Sequence, residues 1–190
     1  MLLSVCVLTY NRQKFLGQLV ESILQSQVLT GTQVELIILN NGSSDGTEEF
    51  LKKISNLGNI KVFHRDFNLR GSAAYKELFS YAQGEWIISP GDDDVFIGET
   101  LTELSTILRK TNDQVSLVPF SALTIDSLGK ATPIKFQPTA ETNNIKLIAN
   151  LFFKSLYWFP STCFRRRILE NVEFPVTMTV FDWWIWIQGV

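Results

Sequence analysis

Three consecutive aspartates, Asp92 to Asp94, are the residues of this sequence best suited to carry chemistry. Close like charges raise each other's pKa, so three adjacent carboxylates are costly unless a positive group lies among them. A hard divalent cation such as Mg²⁺ is a natural partner, because it binds through one or two carboxylates together with substrate phosphates. A solvated acidic turn explains the same residues, and the triplet alone leaves both interpretations open.

A second polar stretch, residues 40–47, reads N-N-G-S-S-D-G-T. Its side-chain amides are able to pair with a base or a ribose, although asparagine is also common in ordinary turns. The sequence has no G-x-G-x-x-G after its first apolar run and no G-x-x-x-x-G-K-[ST]. The dinucleotide-binding and P-loop classes are therefore excluded. The single histidine, His64, has no sequence partner for metal or acid–base chemistry, which favours a structural role.

The elements that must position these residues alternate between short apolar strands and amphipathic helices. Periodicity predicts strands at residues 3–9, 34–39, 60–64 and 86–89. It predicts helices at residues 13–27, 47–55 and 72–82. This order predicts an α/β fold with an open, mainly parallel sheet and helices on both faces. Ligands of such sheets bind beyond the carboxyl ends of the strands, and the polar stretches follow those ends.

The second half of the chain has a looser pattern. We predict a helix around Leu101–Leu108, a strand at residues 115–123 and a hairpin in the turn-rich residues 127–142. A helix at residues 144–156, a short strand at 161–164 and a last aromatic helix at 181–187 complete the prediction. The chain stops soon after that helix, so we expect a missing C-terminal portion.

Composition limits the class of protein. The 190 residues are 45% hydrophobic and 19% charged, which predicts one globular domain over residues 1–190. The net charge of -2 gives no reason to expect nucleic acid as a partner. Two cysteines are too few for a disulfide framework, and we expect Cys6 to be a buried thiol. Without a signal peptide or a long apolar segment, we expect a cytoplasmic protein, with peripheral association at the inner face of the membrane left open.

Four segments, taken together, resemble glycosyltransferase family 2. They read SVCVLTYNRQKFLGQLVESIL, VELIILNNGSSDGTEEFL, NLRGSAA and GEWIISPGDDD, in that order. Weaker similarity is present in STCFRRRIL and FDWWIWI. The resemblance implies a GT-A fold in which residues 1–97 bind a nucleotide-sugar and residues 98–190 bind an acceptor. Family members usually invert the anomeric centre of the transferred sugar.

The resemblance also implies which residues bind the donor. Thr9, Tyr10 and Asn11 match the first nucleotide-contacting turn, with Tyr10 placed to pack on the base. Asn41 stands where the family usually has a base-reading aspartate, and an amide is still able to donate and accept hydrogen bonds there. Arg70 matches a position suited to the diphosphate or the donor sugar.

Four acidic residues are assigned by the same resemblance. Asp92 is expected to contact the ribose, while Asp93, assisted by Asp94, is expected to hold Mn²⁺ or Mg²⁺ against the diphosphate. Asp182 is implied to be the general base, although without the resemblance an N-cap is the default explanation of a lone carboxylate before a helix.

The predicted activity is transfer of a sugar, from a UDP or dTDP donor, to a hydroxyl of a glycan, a lipid-linked or a protein-linked acceptor. Two alternatives stay open at this point. One is a nucleotide-sugar-binding domain without turnover. The other is a sugar-phosphate nucleotidyltransferase, although its glycine-rich N-terminal signature is missing from residues 2–14. The sequence does not determine the oligomeric state.

Overall fold

The structure, a computed structural model, describes residues 1–26, 28–31, 33–69, 72–134 and 159–171. The α-helices are α1 (Gln13–Gln25), α2 (Thr47–Ile54), α3 (Ser72–Ser80) and α4 (Thr100–Lys110). The first four β-strands are β1 (Leu3–Thr9), β2 (Val34–Asn41), β3 (Ile60–Arg65) and β4 (Trp86–Ile88). The later strands are β5 (Leu117–Pro119), β6 (Ala122–Ile125), β7 (Ala131–Ile134) and β8 (Thr162–Arg165). Short 3₁₀ helices cover Val28–Thr30, Phe159–Ser161 and Arg166–Asn171.

The main sheet has the strand order β3-β2-β1-β4-β8-β5. Strands β1 to β4 pair in parallel, while β8 runs antiparallel to both of its neighbours. The predicted open and mainly parallel α/β sheet is therefore confirmed. Because this one sheet takes strands from both predicted halves of the chain, the division at residue 97 stays a prediction.

Successive residues of the central strands enter two apolar layers, one on each face of the sheet. Val5 and Val7 of β1 pack in the layer that contains α1, α2 and α4, whereas Cys6 packs in the layer that contains α3. Strand β2 alternates in the same way, with Ile37 and Leu39 on the α3 side. A strand buried on both faces is apolar at most positions, which explains the nearly continuous apolar runs. The predicted helices on both faces are confirmed.

Residues 115–123 do not form the single strand that their composition suggests. Strand β5, at the edge of the sheet, ends at Pro119, and the N–H of Phe120 donates to the carbonyl of Ser161 just beyond it. The chain then starts β6 in a separate two-stranded sheet with β7. The hairpin therefore begins upstream of the turn-rich segment, with its turn at residues 126–130. The helices predicted at residues 144–156 and 181–187 lie outside the described residues.

Several smaller predictions concern single groups. Cys6 and Cys163 are both buried free thiols, and burial raises the pKa of each. His64 approaches the side-chain amide of Asn40, with 3.3 Å between Nδ1 and Nδ2. In the described part of the chain, no helix has the length and apolar content to cross a membrane. The cytoplasmic location and the peripheral membrane association stay predictions.

The turn after β2 depends on a glycine, which gives a test of the packing. Gly42 has a φ of 80°, and an added Cβ would lie 2.5 Å from the carbonyl carbon of Phe67. We expect Gly42→Ala to lower the free energy of unfolding by about 2–5 kcal/mol, from a left-handed alanine and a backbone clash together. Chemical denaturation measures this difference.

Gly98→Ala is the matched control for Gly42→Ala. Gly98 also has a positive φ, of 55°, but within the described residues an added Cβ would meet no atom within 4 Å. Its replacement should cost only the conformational part, about 1–2 kcal/mol. If both variants lost the same free energy of unfolding, the backbone of Phe67 would not be in steric contact with the turn at Gly42.

Candidate functional site

A buried hydrogen bond joins the carboxyl ends of β1 and β4. Thr9, the last residue of β1, donates from Oγ1 to Oδ2 of Asp92 over 2.9 Å, and both residues are buried. The backbone N–H of Tyr10 donates to the same carboxylate. Strand β1 lies between β2 and β4, so this bond spans the point where the strand order reverses. Open α/β sheets bind their ligands at that point.

The acidic turn after β4, residues 92–94, carries excess negative charge and is partly buried. Burial raises the pKa of Asp92, and the hydrogen bond from Thr9 and the charge of Arg12 offset this only in part. Burial also raises the pKa of Asp94, with a smaller contribution from the neighbouring carboxylates. A cation placed among these groups would offset both shifts, because a nearby positive charge favours the charged form of a carboxyl group. Perturbed carboxyl groups in such a position mark a candidate functional site.

Arg12 is a site residue that the sequence analysis missed. Its Nη1 lies 2.6 Å from Oδ2 of Asp93 and 3.5 Å from Oδ1 of Asp92, so one guanidinium bridges both carboxylates. The hydrogen bond to Asp93, followed by the charge of Asp92, raises the pKa of Arg12. A signal was present in the sequence, because Arg12 directly precedes α1 and a helix amino terminus disfavours a cation.

Because Gly91 has no side chain, two carboxylate oxygens converge beside its Cα, where a Cβ would otherwise lie. An ideal Cβ on Gly91 would lie 2.8 Å from Oδ1 of Asp93 and 3.2 Å from Oδ2 of Asp94. Oδ2 of Asp94 also accepts the N–H of Gly91, over 2.6 Å. In the part of the chain that the structure describes, no group of three acidic, histidine or cysteine side chains forms a complete metal cage. Two hard oxygens that converge beside a glycine fit a Mg²⁺ or Mn²⁺ site that phosphate oxygens and water would complete.

Asn41 fastens the loop after β3. Its Nδ2 donates to Oδ1 of Asn68 over 3.1 Å and to the carbonyl of Leu69 over 2.9 Å, while its Oδ1 accepts the N–H of Leu69 over 3.0 Å. A backbone donor and a backbone acceptor therefore fix the orientation of this amide. An aspartate here has no hydrogen to donate to the carbonyl of Leu69. The loop thus explains why an amide replaces the carboxylate that the resemblance leads one to expect.

Asn11 joins the turn after β1 to the turn after β2. Its φ of 54° is left-handed, a conformation that asparagine tolerates better than most residues. Its Oδ1 accepts the N–H of Ser44 over 2.7 Å, and its own N–H donates to Oγ of Ser43 over 3.0 Å. Asp45 from the same turn accepts the N–H of Gln13 over 3.1 Å and so caps α1 from outside the helix. Hydrogen bonds between side chains and backbone N–H groups thus hold the two turns together.

The remaining predicted site residues have different outcomes. The side chain of Tyr10 is 43% exposed at the edge of the sheet, where a base could pack on it, and its role stays a prediction. Arg70 and Asp182 lie outside the described residues, so their roles are also untested. The structure does bring together Thr9, Asn11, Asn41 and the three aspartates, through the turns described above.

A cavity of about 650 Å³ lies beside the acidic turn. Asp93 and Asp94 are among its lining residues, together with apolar side chains that include Phe96, Phe120 and Leu123 and several serine and threonine residues. The two-stranded β6–β7 sheet contributes one wall. Ligand pockets commonly have this combination of apolar walls and a few polar groups.

Comparison with known proteins gives a family match and several relatives. The family model described as Glycosyl transferase family 2 matches residues 4–172. The chain is 33% identical to abequosyltransferase RfbV of Salmonella typhimurium over 115 residues, which are 60% of this chain and 34% of RfbV. It is 25% identical to the poly(ribitol-phosphate) beta-N-acetylglucosaminyltransferase TarS of Staphylococcus aureus over 175 residues, 90% of this chain and 29% of TarS. The chain therefore spans about a third of the length of these relatives.

Solved structures share the fold. The crystal structure of S. aureus TarS 1-349 in complex with UDP-GlcNAc matches with a TM-score of 0.78 and 22% identity, over 100% of this chain and 53% of that chain. The mannosyltransferase PcManGT from Pyrobaculum calidifontis, in complex with GDP-Man and Mn²⁺, matches with a TM-score of 0.67 and 14% identity, over 95% and 49%. These similarities confirm the predicted GT-A fold.

The Thr9–Asp92 bond gives a prediction about protonation. The hydrogen bond from Thr9 lowers the pKa of Asp92 against the effect of burial. In Thr9→Val, which keeps the shape but removes the donor, we expect the pKa of Asp92 to rise further above its ordinary value. Carboxyl-carbon NMR titration measures the change. Thr106→Val, on the exposed face of α4, is the control and should leave this titration unchanged; an equal Asp92 pKa in both variants would contradict the assignment.

Proposed function

This chain belongs to glycosyl transferase family 2, and we propose that it moves a sugar from a nucleoside diphosphate donor to an acceptor hydroxyl with inversion at the anomeric carbon. The observation that carries the proposal is the acidic turn at residues 92–94, at the reversal point of the sheet. Two carboxylate oxygens converge there over Gly91, and a bond from β1 fixes the third carboxylate. A donor diphosphate placed at this edge would meet both a cation site and the turn after β1.

The proposed donor is a UDP- or dTDP-sugar. The complex of TarS 1-349 with UDP-GlcNAc supports a uridine donor, since that structure shares the fold over the whole of this chain. Tyr10 would pack on the base through its exposed ring, and Asn11 and Asn41 would shape the base pocket through the loops that they hold. Asp92 would contact the ribose, because a carboxylate oxygen accepts further hydrogen bonds beyond the one from Thr9.

The proposed cation is Mn²⁺ or Mg²⁺ at Asp93 and Asp94, and the PcManGT complex with GDP-Man and Mn²⁺ supports this choice. When bound, such a cation neutralises the charge that develops on the leaving diphosphate. Oδ2 of Asp94 accepts the N–H of Gly91, and the other oxygen of Asp93, Oδ2, forms an ion pair with Arg12. Arg70 is proposed to bind the diphosphate or the donor sugar.

The acceptor, a glycan or a lipid-linked or protein-linked glycan, is proposed to bind in the cavity beside Asp93 and Asp94. Asp182 then accepts the proton of the acceptor hydroxyl as its oxygen attacks the anomeric carbon. The bond between that carbon and the diphosphate oxygen breaks, and the nucleoside diphosphate leaves with the electron pair. General-base assistance of this kind contributes about 10²–10⁴ in rate.

A thermal-shift panel of nucleotide-sugars, with and without Mn²⁺, tests the proposed function. A ligand that binds the native state raises its apparent stability, so a true donor should raise the unfolding temperature more with Mn²⁺ than without it. Transfer of a labelled sugar from that donor to acceptors in an extract then distinguishes an enzyme from a binding domain without turnover. Release of pyrophosphate from a nucleoside triphosphate would instead indicate a nucleotidyltransferase.

Asp93→Ala tests the cation site. Because the variant removes the carboxylate oxygen of Asp93 that converges with Asp94 beside Gly91, we expect Mn²⁺ to lose its effect on donor affinity. Calorimetry with and without the metal measures this affinity. Glu103→Gln, an exposed carboxylate change on α4, serves as the control. Unchanged metal-dependent binding in Asp93→Ala would refute the assignment of Asp93.

Asp182→Asn tests the proposed base. The amide has nearly the same shape but cannot accept a proton, so transfer should fall by about 10²–10⁴ while donor affinity stays at the wild-type value. Initial rates and donor titration measure the two quantities separately. A loss of donor affinity as large as the loss of rate would assign Asp182 to donor binding instead.

A further inference from the structure

We infer that Arg12 is an exchangeable counter-ion of the acidic turn: it competes with a divalent cation for Asp93, and the diphosphate of a donor relieves the competition by binding Arg12. This inference rests on the proposed function. It gives a binding role to a residue whose position in the chain, at the start of α1, would otherwise disfavour a positive charge.

The geometry brings the guanidinium and the proposed cation onto the same carboxylate. Nη1 of Arg12 lies 2.6 Å from Oδ2 of Asp93, while Oδ1 of Asp93 converges with Oδ2 of Asp94 beside Gly91. A cation held by Oδ1 would therefore be separated from the guanidinium by a single carboxylate group, which is less than a Debye length. A charge of +2 and a charge of +1 at that separation repel each other even in water, which lowers the affinity for the cation when Arg12 stays in place.

The contact is of a kind that exchanges easily. The side chains of Arg12 and Asp93 are 47% and 53% exposed, and exposed ion pairs contribute little because water competes for both partners. The backbone of Arg12, by contrast, is fixed, since its carbonyl accepts the N–H groups of Phe15 and Leu16 at the start of α1. A long side chain on a fixed backbone is free to exchange one anionic partner for another nearby.

A diphosphate is a better partner for this guanidinium than an exposed carboxylate. It carries more charge, and its oxygens match the planar donor fork of arginine in a bidentate way. Arg12 directly follows Tyr10 and Asn11, the turn proposed to hold the nucleotide, so a bound diphosphate would lie within reach of its long side chain. Nucleotide and cation should therefore enhance each other's binding, and by the same factor in both directions.

A static interpretation makes the opposite prediction. If Arg12 only clamps the acidic turn to α1, its removal disorders Asp93, and the affinity for a cation falls or stays the same. If Arg12 competes with the cation, removal raises the affinity for the cation in the absence of nucleotide. The sign of the change distinguishes the two roles.

The experiment measures Mn²⁺ binding by the electron paramagnetic resonance signal of free Mn²⁺, with and without UDP. The proteins are the wild type, Arg12→Gln, Arg12→Lys and the control Lys14→Gln. Lys14 is an exposed cation two residues away on α1, so its replacement makes the same change in net charge. Thermal unfolding without ligands confirms that each variant is folded, and Arg12→Lys, which keeps the charge, replaces Arg12→Gln in the comparison if that variant does not fold.

We expect Arg12→Gln to bind Mn²⁺ alone about three- to tenfold more tightly than Lys14→Gln does. The factor by which UDP enhances Mn²⁺ binding should fall by a similar amount, and Arg12→Lys should lie between Arg12→Gln and the wild type. An Mn²⁺ affinity of Arg12→Gln equal to or below that of Lys14→Gln overturns the inference and leaves the proposed function intact. A wild-type protein that binds donor but never Mn²⁺, with or without UDP, overturns both the inference and the cation site.

Discussion

The polar contacts between the turns of the site depend on the parallel pairing of strands β1 to β4. In this register Thr9 lies opposite Asn40, and the turns after the strands follow one another along a single edge. Side chains link neighbouring turns in the same order as the strands, from Leu69 to Asn41, from Ser44 to Asn11, and from Thr9 to Asp92. A slip of β1 by one residue would reverse its two faces and break these links together with the core.

The pKa values of buried carboxyl groups are shifted in opposite directions at the two ends of this sheet. Glu35, at the amino-terminal end of β2, accepts hydrogen bonds from Ser4, Gln83 and Lys61 at 2.6 to 2.8 Å. Burial alone would raise the pKa of Glu35, but these donors outweigh it and lower the pKa. At the carboxyl end, burial prevails, and the pKa values of Asp92 and Asp94 are raised. At the amino-terminal end, the hydrogen-bonded carboxylate stabilises the fold. At the carboxyl end, the excess negative charge gives a cationic ligand its most favourable binding position.

The sequence predicts the parts of this structure that depend on local pattern. Apolar runs and helical spacing predict the strands and helices of the first half to within a few residues, and the rule for parallel sheets then places the acidic turn at the correct edge. The contacts that shape the site are different, because each depends on which distant turns meet. Arg12 and Asp93 are 81 residues apart, and no periodicity relates them. The break at Pro119 was likewise missed, since it depends on where the carbonyl of Ser161 lies in the folded chain.

The asparagine at the end of β2 shows that the fold and the chemistry constrain the same position. Asn41 uses both hydrogens of its amide on the loop after β3 and accepts a backbone N–H from that loop in return. A carboxylate at this position would face the carbonyl of Leu69, so the loop as it stands requires a neutral donor. Because β2 then ends in two asparagines, the strand end nearest the proposed base pocket carries no carboxylate. Excess negative charge is thus placed after β4, where a cation and a diphosphate are able to use it, and kept away from the strand end where a neutral base would bind.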